Sequence, residues 1–220
     1  MEPQNPLLDL YILGQSPMKK PKVCFVGTAS GDSSDDAGKF MKCFRKFNCE
    51  PSCLSLFKPP KENLESFILK KDVIYVGGGN TRNLLLLWKE WGLDKILKIA
   101  WERGIVLSGV SAGSICWFEE GVTDSMPGKL TPLRCLGFLK GSNCPHYDGE
   151  KERRPAYHRL LRMGKIKKGY AADDGVALHF IGDILDRVVS SRPKARAFKV
   201  AMKNGKVAEE PIIPNYLGKG

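Results

Sequence analysis

Short apolar runs alternate along this chain with segments whose apolar residues recur at helical spacing. The helical spacing predicts helices over residues 36–47, 62–69, 81–88, 93–101, 114–118 and 152–163. The apolar runs and the alternating segments predict strands over residues 22–27, 52–57, 72–76, 105–108, 176–180, 184–190 and 197–202. No linker interrupts the series, so we predict that residues 1–220 form a single domain.

Strands that alternate with helices are typical of α/β folds. We therefore expect a three-layer α/β/α sandwich with a mostly parallel central sheet. The end of the chain has a different pattern, because three strands follow one another there and Asn204-Gly205 is a hairpin turn sequence. This pattern predicts a C-terminal antiparallel β segment.

The composition, with 42% apolar and 27% charged residues in 220, is that of a soluble globular protein. No run of about 18 apolar residues is present, so we expect no membrane partner. The first fifteen residues carry acids where a secretion signal needs bases. Seven cysteines, an odd number with no CxxC pair, disfavour zinc and disulfide frameworks. These features predict a cytoplasmic protein.

The formal charge of +11 raises the question of nucleic acid binding. The basic residues occur in short pieces beside acids rather than in one cluster, and nucleic acid binders tend to concentrate them on one face. Net charge on its own bears on solubility and steering. Nucleic acid is therefore not the expected partner, and the sequence does not indicate an oligomeric state.

The strongest chemical signal is Gly109-Val110-Ser111-Ala112-Gly113, which has the pattern GxSxG. It lies between a predicted strand and a predicted helix, where such a pattern forms a sharp turn that exposes a nucleophilic serine. The amide of Ala112 then points to where an oxyanion would form. The alternative is a turn that merely requires small residues, but the context favours Ser111 as a nucleophile.

A second glycine-rich segment, Gly77-Gly78-Gly79-Asn80-Thr81, ends the preceding predicted strand. At the carboxyl edge of a parallel sheet this loop would lie beside the serine turn. It lacks the lysine of a phosphate-binding loop and the spacing of a dinucleotide site. An oxyanion hole formed by Gly78 or Gly79 with Ala112 therefore fits better.

A nucleophilic serine needs a base and an acid to orient that base. His146 follows a proline in a loop, whereas His158 and His179 fall within a predicted helix and strand, where structural roles are favoured. The acids in loops after the serine are Asp124, Asp148, Asp173 and Asp174. Position alone favours His146 mildly and leaves the acid open.

Together these motifs resemble the peptidase E family of serine aspartyl dipeptidases, whose fold is similar to that of class I glutamine amidotransferases. The resemblance rests on GGGNT after a strand, GVSAGSICW around the serine, and PHY in the histidine loop. It implies that Ser111 is the nucleophile, that His146 is the base, and that Asp174, before a glycine, is the acid. The dipeptidase has glutamate there, and Asp124 in Thr123-Asp124-Ser125-Met126-Pro127 is the competing acid.

The resemblance also implies substrate-binding residues. Arg153 is the closest counterpart of the arginine that holds the substrate's aspartate, and Asn80 belongs to the glycine loop. The loop from His146 to Arg153 is shorter than in the dipeptidase. Members usually begin with a strand and a glycine-rich turn that the start of this sequence lacks, so we expect one bare sheet edge.

We therefore expect a serine peptidase that hydrolyses short peptides through an acyl-enzyme on Ser111. Dipeptides with N-terminal aspartate are one substrate class that the resemblance implies, and cleavage of aspartyl bonds by a cyanophycinase-like reaction is another. No metal or cofactor is expected, because serine and imidazole supply the nucleophile and the proton transfer. Two alternatives stay open, namely an amidase or acyl hydrolase with the same triad and a silent binding protein of the same fold.

Overall fold

The computed structural model describes residues 4–58 and 62–218. Contacts within the chain group it into two compact units, one built from Asp9–Ser114 and the other from Asn5–Leu8 with the residues from Ile115 onward. The single domain predicted for residues 1–220 stays a prediction. In the described part of the chain, no helix combines the length and the apolar character needed to cross a membrane.

The first unit is built on a four-stranded sheet in which all neighbours run parallel. In the order β2-β1-β3-β4 its strands are β1 (Lys22–Val26), β2 (Glu50–Leu54), β3 (Val73–Val76) and β4 (Val106–Gly109). The register pairs Val26 with Val76 and Val76 with Gly109. The loops that follow these three strands therefore start at one edge of the sheet.

Helices flank this sheet, and their ends follow local sequence signals. They are α1 (Leu7–Leu13), α2 (Ser34–Phe44), α3 (Leu64–Leu69), α4 (Thr81–Trp91), α5 (Leu93–Glu102) and the short α6 (Ala112–Ile115), which leads into the second unit. The side chains of Ser33, Asn63 and Asn80 accept hydrogen bonds from first-turn amides as N-caps. Gly92 ends α4 in the left-handed conformation, which glycine adopts without strain.

An aromatic cluster fills the space between α2 and the sheet. The ring of Phe40 lies 5.0 Å from that of Phe25, 4.1 Å from that of Phe44 and 5.7 Å from that of Tyr75. Phe40 and Phe44 are fully buried. The aromatic side chains of this helix therefore face the core.

The second unit contains two sheets and one helix, α7 (Arg153–Arg162). The six-stranded sheet has the order β12-β11-β8-β7-β5-β6, and the three-stranded sheet has the order β13-β10-β9. The strands are β5 (Phe118–Thr123), β6 (Thr131–Arg134), β7 (Leu139–Cys144), β8 (Gly169–Ala172), β9 (Val176–Ile181), β10 (Ile184–Ser190), β11 (Ala197–Lys203), β12 (Lys206–Ile212) and β13 (Asn215–Tyr216). Tyr157, Leu160 and Leu161 of α7 pack in the core with Val122 and Ala171 of the larger sheet.

The predicted fold class is confirmed: the protein is α/β, with a parallel sheet, flanking helices and antiparallel strands toward the C-terminus. The hairpin at Asn204-Gly205 is also confirmed, because it joins β11 to β12 with φ angles of 49° and 74°. Two left-handed residues are what a two-residue hairpin turn requires.

One predicted helix is wrong. Residues 114–118 are not helical throughout, because α6 ends at Ile115 and strand β5 begins at Phe118. All four side chains from Ile115 to Phe118 are buried, and a short apolar run of this kind fits a buried strand as well as a helix. Strands β5, β6 and β7 had no predicted counterpart, because their polar and glycine residues obscure the alternation.

The aromatic cluster predicts where the first unit is sensitive to truncation. Phe40→Ala should lower the free energy of unfolding by about 3–5 kcal/mol, because it leaves a cavity between α2 and the sheet. Phe57→Ala is the matched control, since the Phe57 side chain is 62% exposed and its loss should change stability by less than about 0.5 kcal/mol. Urea denaturation of both variants checks this, and similar losses in both would contradict it.

Candidate active site

Ser111 lies in a sharp turn between β4 and α6, as the motif predicted. Its φ angle is +54°, a left-handed conformation that residues with a side chain seldom adopt. Two hydrogen bonds close the turn. The amide of Gly113 donates to the carbonyl of Val110, and the amide of Ser114 donates to the carbonyl of Ser111. Such strain at an exposed turn is typical of a functional residue.

The two glycines of the motif are required by close backbone approach. A Cβ atom on Gly109 would lie 2.3 Å from the carbonyl oxygen of Gly113, and a Cβ on Gly113 would lie 2.3 Å from the carbonyl oxygen of Val76. Both distances are far inside van der Waals contact. The turn at Ser111 can therefore form only with glycine at both positions.

The glycine loop after β3 lies against the serine. A Cβ on Gly78 would be 3.2 Å from the Cβ and 3.8 Å from the Oγ of Ser111. Gly79 has a φ angle of +132°, and a Cβ there would lie 2.3 Å from the carbonyl oxygen of Ala29. The structure thus brings Gly78 beside Ser111, as the parallel sheet predicted.

The amides near the serine differ in their partners. Gly77 donates to the carbonyl of Val26 and Asn80 to that of Ala29. The amides of Gly78 and Gly79 donate to no acceptor in the described ranges 4–58 and 62–218. Ala112 is the first residue of α6, where an amide has no acceptor within the helix.

In the second unit, His146 forms a hydrogen bond with Asp174. Nδ1 of the imidazole lies 2.6 Å from Oδ1 of Asp174. Because a carboxylate can only accept, Nδ1 carries the hydrogen, and Nε2 is left as the nitrogen that can take up a proton. His146 follows β7 and Pro145 with a φ angle of +57°, and Asp174 follows β8.

The competing acid has a different partner. Asp124 follows β5, its side chain is 68% exposed, and its Oδ1 lies 3.7 Å from Nη2 of Arg153. Asp173, next to Asp174, accepts a hydrogen bond from the amide of Arg196, and burial raises the pKa of its carboxyl. Of the acids left open by the sequence, Asp174 is the one joined to the histidine.

The two predicted substrate-binding residues make structural contacts. Asn80 caps α4, with its Oδ1 accepting from the amide of Asn83 at 2.9 Å. Arg153 is 2% exposed and donates from Nε to Glu150 at 2.7 Å and from Nη1 to the carbonyl of Val122 at 2.8 Å. Substrate binding by Asn80 and Arg153 stays a prediction.

The sequence of this chain is similar to those of known peptidases. The family model described as Peptidase family S51 matches residues 1–188. The chain is 60% identical over 218 residues to the uncharacterised peptidase YgaJ of Bacillus subtilis (strain 168), covering 99% of this chain and 94% of that protein. The chain belongs to peptidase family S51.

Two solved structures resemble the S51 protein in fold. A peptidase from an acI-B1 Actinobacterium superposes with a TM-score of 0.73 at 16% identity, over 95% of this chain and 89% of that one. A Listeria monocytogenes EGD-e protein described as a candidate peptidase E gives a TM-score of 0.56 at 17% identity, over 93% of both chains. At these identities the likeness shows the fold, while membership of S51 makes the protein a peptidase.

The other histidines of this S51 peptidase have structural surroundings. Nε2 of His158 lies 2.7 Å from Oε1 of Glu209 and 3.0 Å from the hydroxyl of Tyr147. Glu209 also accepts from Arg154, so the cluster joins α7, β12 and the residue that follows His146. His179 lies within β9, as predicted.

The cysteines of the S51 peptidase are poorly suited to replace the serine. Burial raises the pKa of all seven thiols, and it raises those of Cys24, Cys135 and Cys144 to about 12. The nucleophile of a cysteine enzyme is the thiolate, and these groups stay protonated at neutral pH. Ser111 therefore remains the candidate nucleophile.

Sequence reasoning missed one partner of Asp174. Arg192 donates from Nη1 to the carbonyl oxygen of Asp174 at 2.9 Å and from Nη2 to Asp148 at 2.9 Å. Asp148 appeared only as one acid among four, and Arg192 lies 46 positions after His146 with no motif around it. Long-range pairing of this kind leaves no local signal.

The glycine requirement at the serine turn gives a test in this S51 peptidase. Gly113→Ala should lower the free energy of unfolding by about 1–3 kcal/mol or more, because the new Cβ meets backbone that cannot rotate away. The matched control is Gly38→Ala in α2, where a Cβ would meet nothing within 4 Å. That change should stabilise the protein by about 0.5–1 kcal/mol. Chemical denaturation checks both, and a Gly113→Ala variant as stable as the parent would contradict the contact.

Proposed function

We propose that the protein is a serine-type peptidase in which Ser111 is the nucleophile, His146 the general base and Asp174 the acid that orients it. The observation that carries the proposal is the strained turn at Ser111, with the glycine loop against its side chain. The hydrogen bond from His146 to Asp174 supplies the second half of a Ser-His-Asp set.

In the proposed reaction, Oγ of Ser111 attacks the carbonyl carbon of the scissile peptide bond while Nε2 of His146 takes its proton. The carboxylate of Asp174 stabilises the imidazolium that results through the Nδ1–H bond. The tetrahedral intermediate breaks its C–N bond as His146 gives the proton to the leaving amine. Water, activated by the same imidazole, then hydrolyses the ester on Ser111 and restores the free enzyme.

The oxyanion of the intermediate is assigned to the amides of Ala112 and of Gly78 or Gly79. Support comes from the closeness of Gly78 to Ser111 and from the unused amides of Gly78 and Gly79 within the described residues. Each such donor contributes about 3 kcal/mol of transition-state stabilisation in comparable sites. These groups are fixed before the substrate binds, so they need no reorganisation.

Short peptides are the proposed substrates, with N-terminal aspartyl dipeptides as the first class to test. The formal charge of +11 attracts acidic peptides from solution. A cleft of about 360 Å³ in the first unit, lined in part by Thr28, Ala29 and Leu87, lies beside the glycine loop, because Ala29 accepts the amide of Asn80.

We also propose that the peptidase works in a reducing compartment, the cytoplasm. Its seven cysteines all fall within the described residues, and no disulfide joins any of them. Chains that work in oxidising compartments tend to pair their cysteines.

Removal of the nucleophile is the first test of the function. In a panel of short peptides that includes aspartyl dipeptides, Ser111→Ala should lower kcat/KM by at least about a thousandfold, because no other group can form the acyl-enzyme. Ser34→Ala is the matched control, since Ser34 is exposed at the start of α2 and should leave turnover unchanged. Hydrolysis at the wild-type rate by Ser111→Ala would overturn the proposal.

The role of Asp174 as the acid is tested by replacing its carboxylate with a neutral amide of the same size. Asp174→Asn should lower kcat by orders of magnitude. The loss should be about 10⁴-fold, because an asparagine at this position favours the wrong tautomer of the histidine. Asp124→Asn is the paired variant and should leave kcat near the wild-type value, because Asp124 is 68% exposed and contacts Arg153 at 3.7 Å rather than His146. The opposite ranking of the two variants would assign the acid to Asp124.

A further inference from the structure

The backbone of Asp174 is held on both sides of its residue. Its amide donates to Oδ1 of Asp148 at 2.8 Å, and its carbonyl oxygen accepts from Nη1 of Arg192 at 2.9 Å. Nη2 of Arg192 donates to Oδ2 of Asp148, also at 2.9 Å. The three residues thus form a closed ring of hydrogen bonds, which we name the Asp174 clamp.

The clamp uses the specific shapes of its two side chains. Both carboxylate oxygens of Asp148 and both terminal nitrogens of Arg192 are engaged, and the planar guanidinium holds its two donors at a fixed separation. The Arg192 and Asp148 side chains are 44% and 34% exposed, so their ion pair contributes little to stability. We therefore expect the Arg192 and Asp148 side chains to affect the position of Asp174 rather than the stability of the fold.

The clamp connects the acid to the segment that carries the base. Asp148 lies two residues after His146, so the amide of Asp174 is tied to the same loop that presents the imidazole. An aspartate side chain has a single methylene, so its carboxylate follows any shift of its backbone. The 2.6 Å hydrogen bond between Nδ1 of His146 and Oδ1 of Asp174 consequently depends on where the clamp holds the backbone of Asp174.

Glycines make the required space on both sides of the acid. A Cβ on Gly149 would lie 2.0 Å from Oδ2 of Asp174, so the carboxylate occupies the volume that a side chain there would fill. Gly175 has a φ angle of +75°, and its carbonyl accepts the amide of Ser191 at 2.8 Å. The Asp174 carboxylate thus lies against Gly149 of the histidine loop, and the residue after Asp174 is tied by its backbone to the segment that contains Arg192.

Charge keeps the clamp intact at neutral pH. Burial acts to raise the pKa of the Asp148 carboxyl, but the amide of Asp174 and the guanidinium of Arg192 outweigh it, and the pKa lies below its ordinary value. Asp148 is thus an acceptor for both donors across the neutral range.

We propose that Asp148, Arg192 and Gly149 are positioning residues that set the hydrogen bond between His146 and Asp174. The inference rests on the proposed function, because it assigns the roles of base and acid to that pair. The three residues act through Asp174 and touch no reacting atom. Their loss should lower kcat and leave KM nearly unchanged, since substrate contacts are not altered.

The test measures the hydrogen bond and the reaction separately. In protein labelled with ¹⁵N-histidine, the Nδ1–H proton of His146 should give a far-downfield resonance, identified by its absence from His146→Gln. Asp148→Asn, Arg192→Ala and Gly149→Ala should broaden or remove it and lower kcat about 10- to 100-fold, the effect of misplacing a catalytic group by about 1 Å. Arg192→Lys keeps the positive charge but has a single terminal nitrogen, so it should lower kcat less than Arg192→Ala does.

A matched control separates this effect from general loss of charge. Asp183 forms an exposed ion pair with Lys140 in the same unit, at 3.2 Å. Asp183→Asn should keep both the resonance and kcat at wild-type values. Because the clamp is one ring, the kcat of the double variant Asp148→Asn/Arg192→Ala should be hardly lower than the kcat of the more impaired single variant.

The outcomes distinguish the clamp from the peptidase assignment. If the resonance and kcat of Asp148→Asn and Arg192→Ala stay within twofold of wild type, the clamp is refuted while the function stands. If no peptide is hydrolysed by the wild type but the resonance is lost in the clamp variants, the proposed function fails and the positioning of His146 by the clamp is upheld. Additive losses in the double variant would show that the two residues act independently and would refute the ring.

Discussion

The structure of the serine turn depends on one backbone contact, between Gly113 at the start of α6 and the carbonyl of Val76 at the end of β3. A Cβ on Gly113 would be 2.3 Å from that oxygen, so the helix approaches the sheet more closely than any other residue type allows. This approach forces Ser111 into a left-handed conformation. A strained serine at the edge of a parallel sheet is the consequence, and the chemistry proposed for the protein starts from it.

The second constraint is electrostatic and lies in the other compact unit. His146 can act as a base only if its Nδ1–H is held, and Asp174 holds it at 2.6 Å. Asp174 is held in turn by Asp148 and Arg192. Each unit thus holds one such residue by its own local packing. The serine is held by a backbone contact, and the acid is held by a ring of charge-assisted hydrogen bonds.

The parts of the structure that were predictable from sequence are those with local causes. Strands β1 and β3 are short apolar runs, and the serine turn is bounded by glycines that no other residue can replace, so both leave a signal over a few positions. The resemblance to the peptidase E family was also visible in these motifs, and membership of family S51 confirms that resemblance. The antiparallel end of the chain was equally visible, through the turn at Asn204-Gly205.

What the sequence did not show depends on contacts between distant residues. The hydrogen bond of His146 to Asp174 rather than to Asp124 depends on which carboxylate reaches the imidazole, and spacing along the chain contains no such distance. The contacts of Arg153 with Glu150 and Val122 were equally invisible in the sequence, and substrate binding by Arg153 stays a prediction. The predicted helix over residues 114–118 was wrong because a buried strand and a buried helix look alike over so few residues.

Labelling with a fluorophosphonate serine probe, followed by intact mass and peptide mapping, measures whether Ser111 is an activated nucleophile. We expect one adduct on Ser111 that is absent from Ser111→Ala, whereas no adduct on the wild type, or an adduct on another residue, would contradict the proposed role of Ser111.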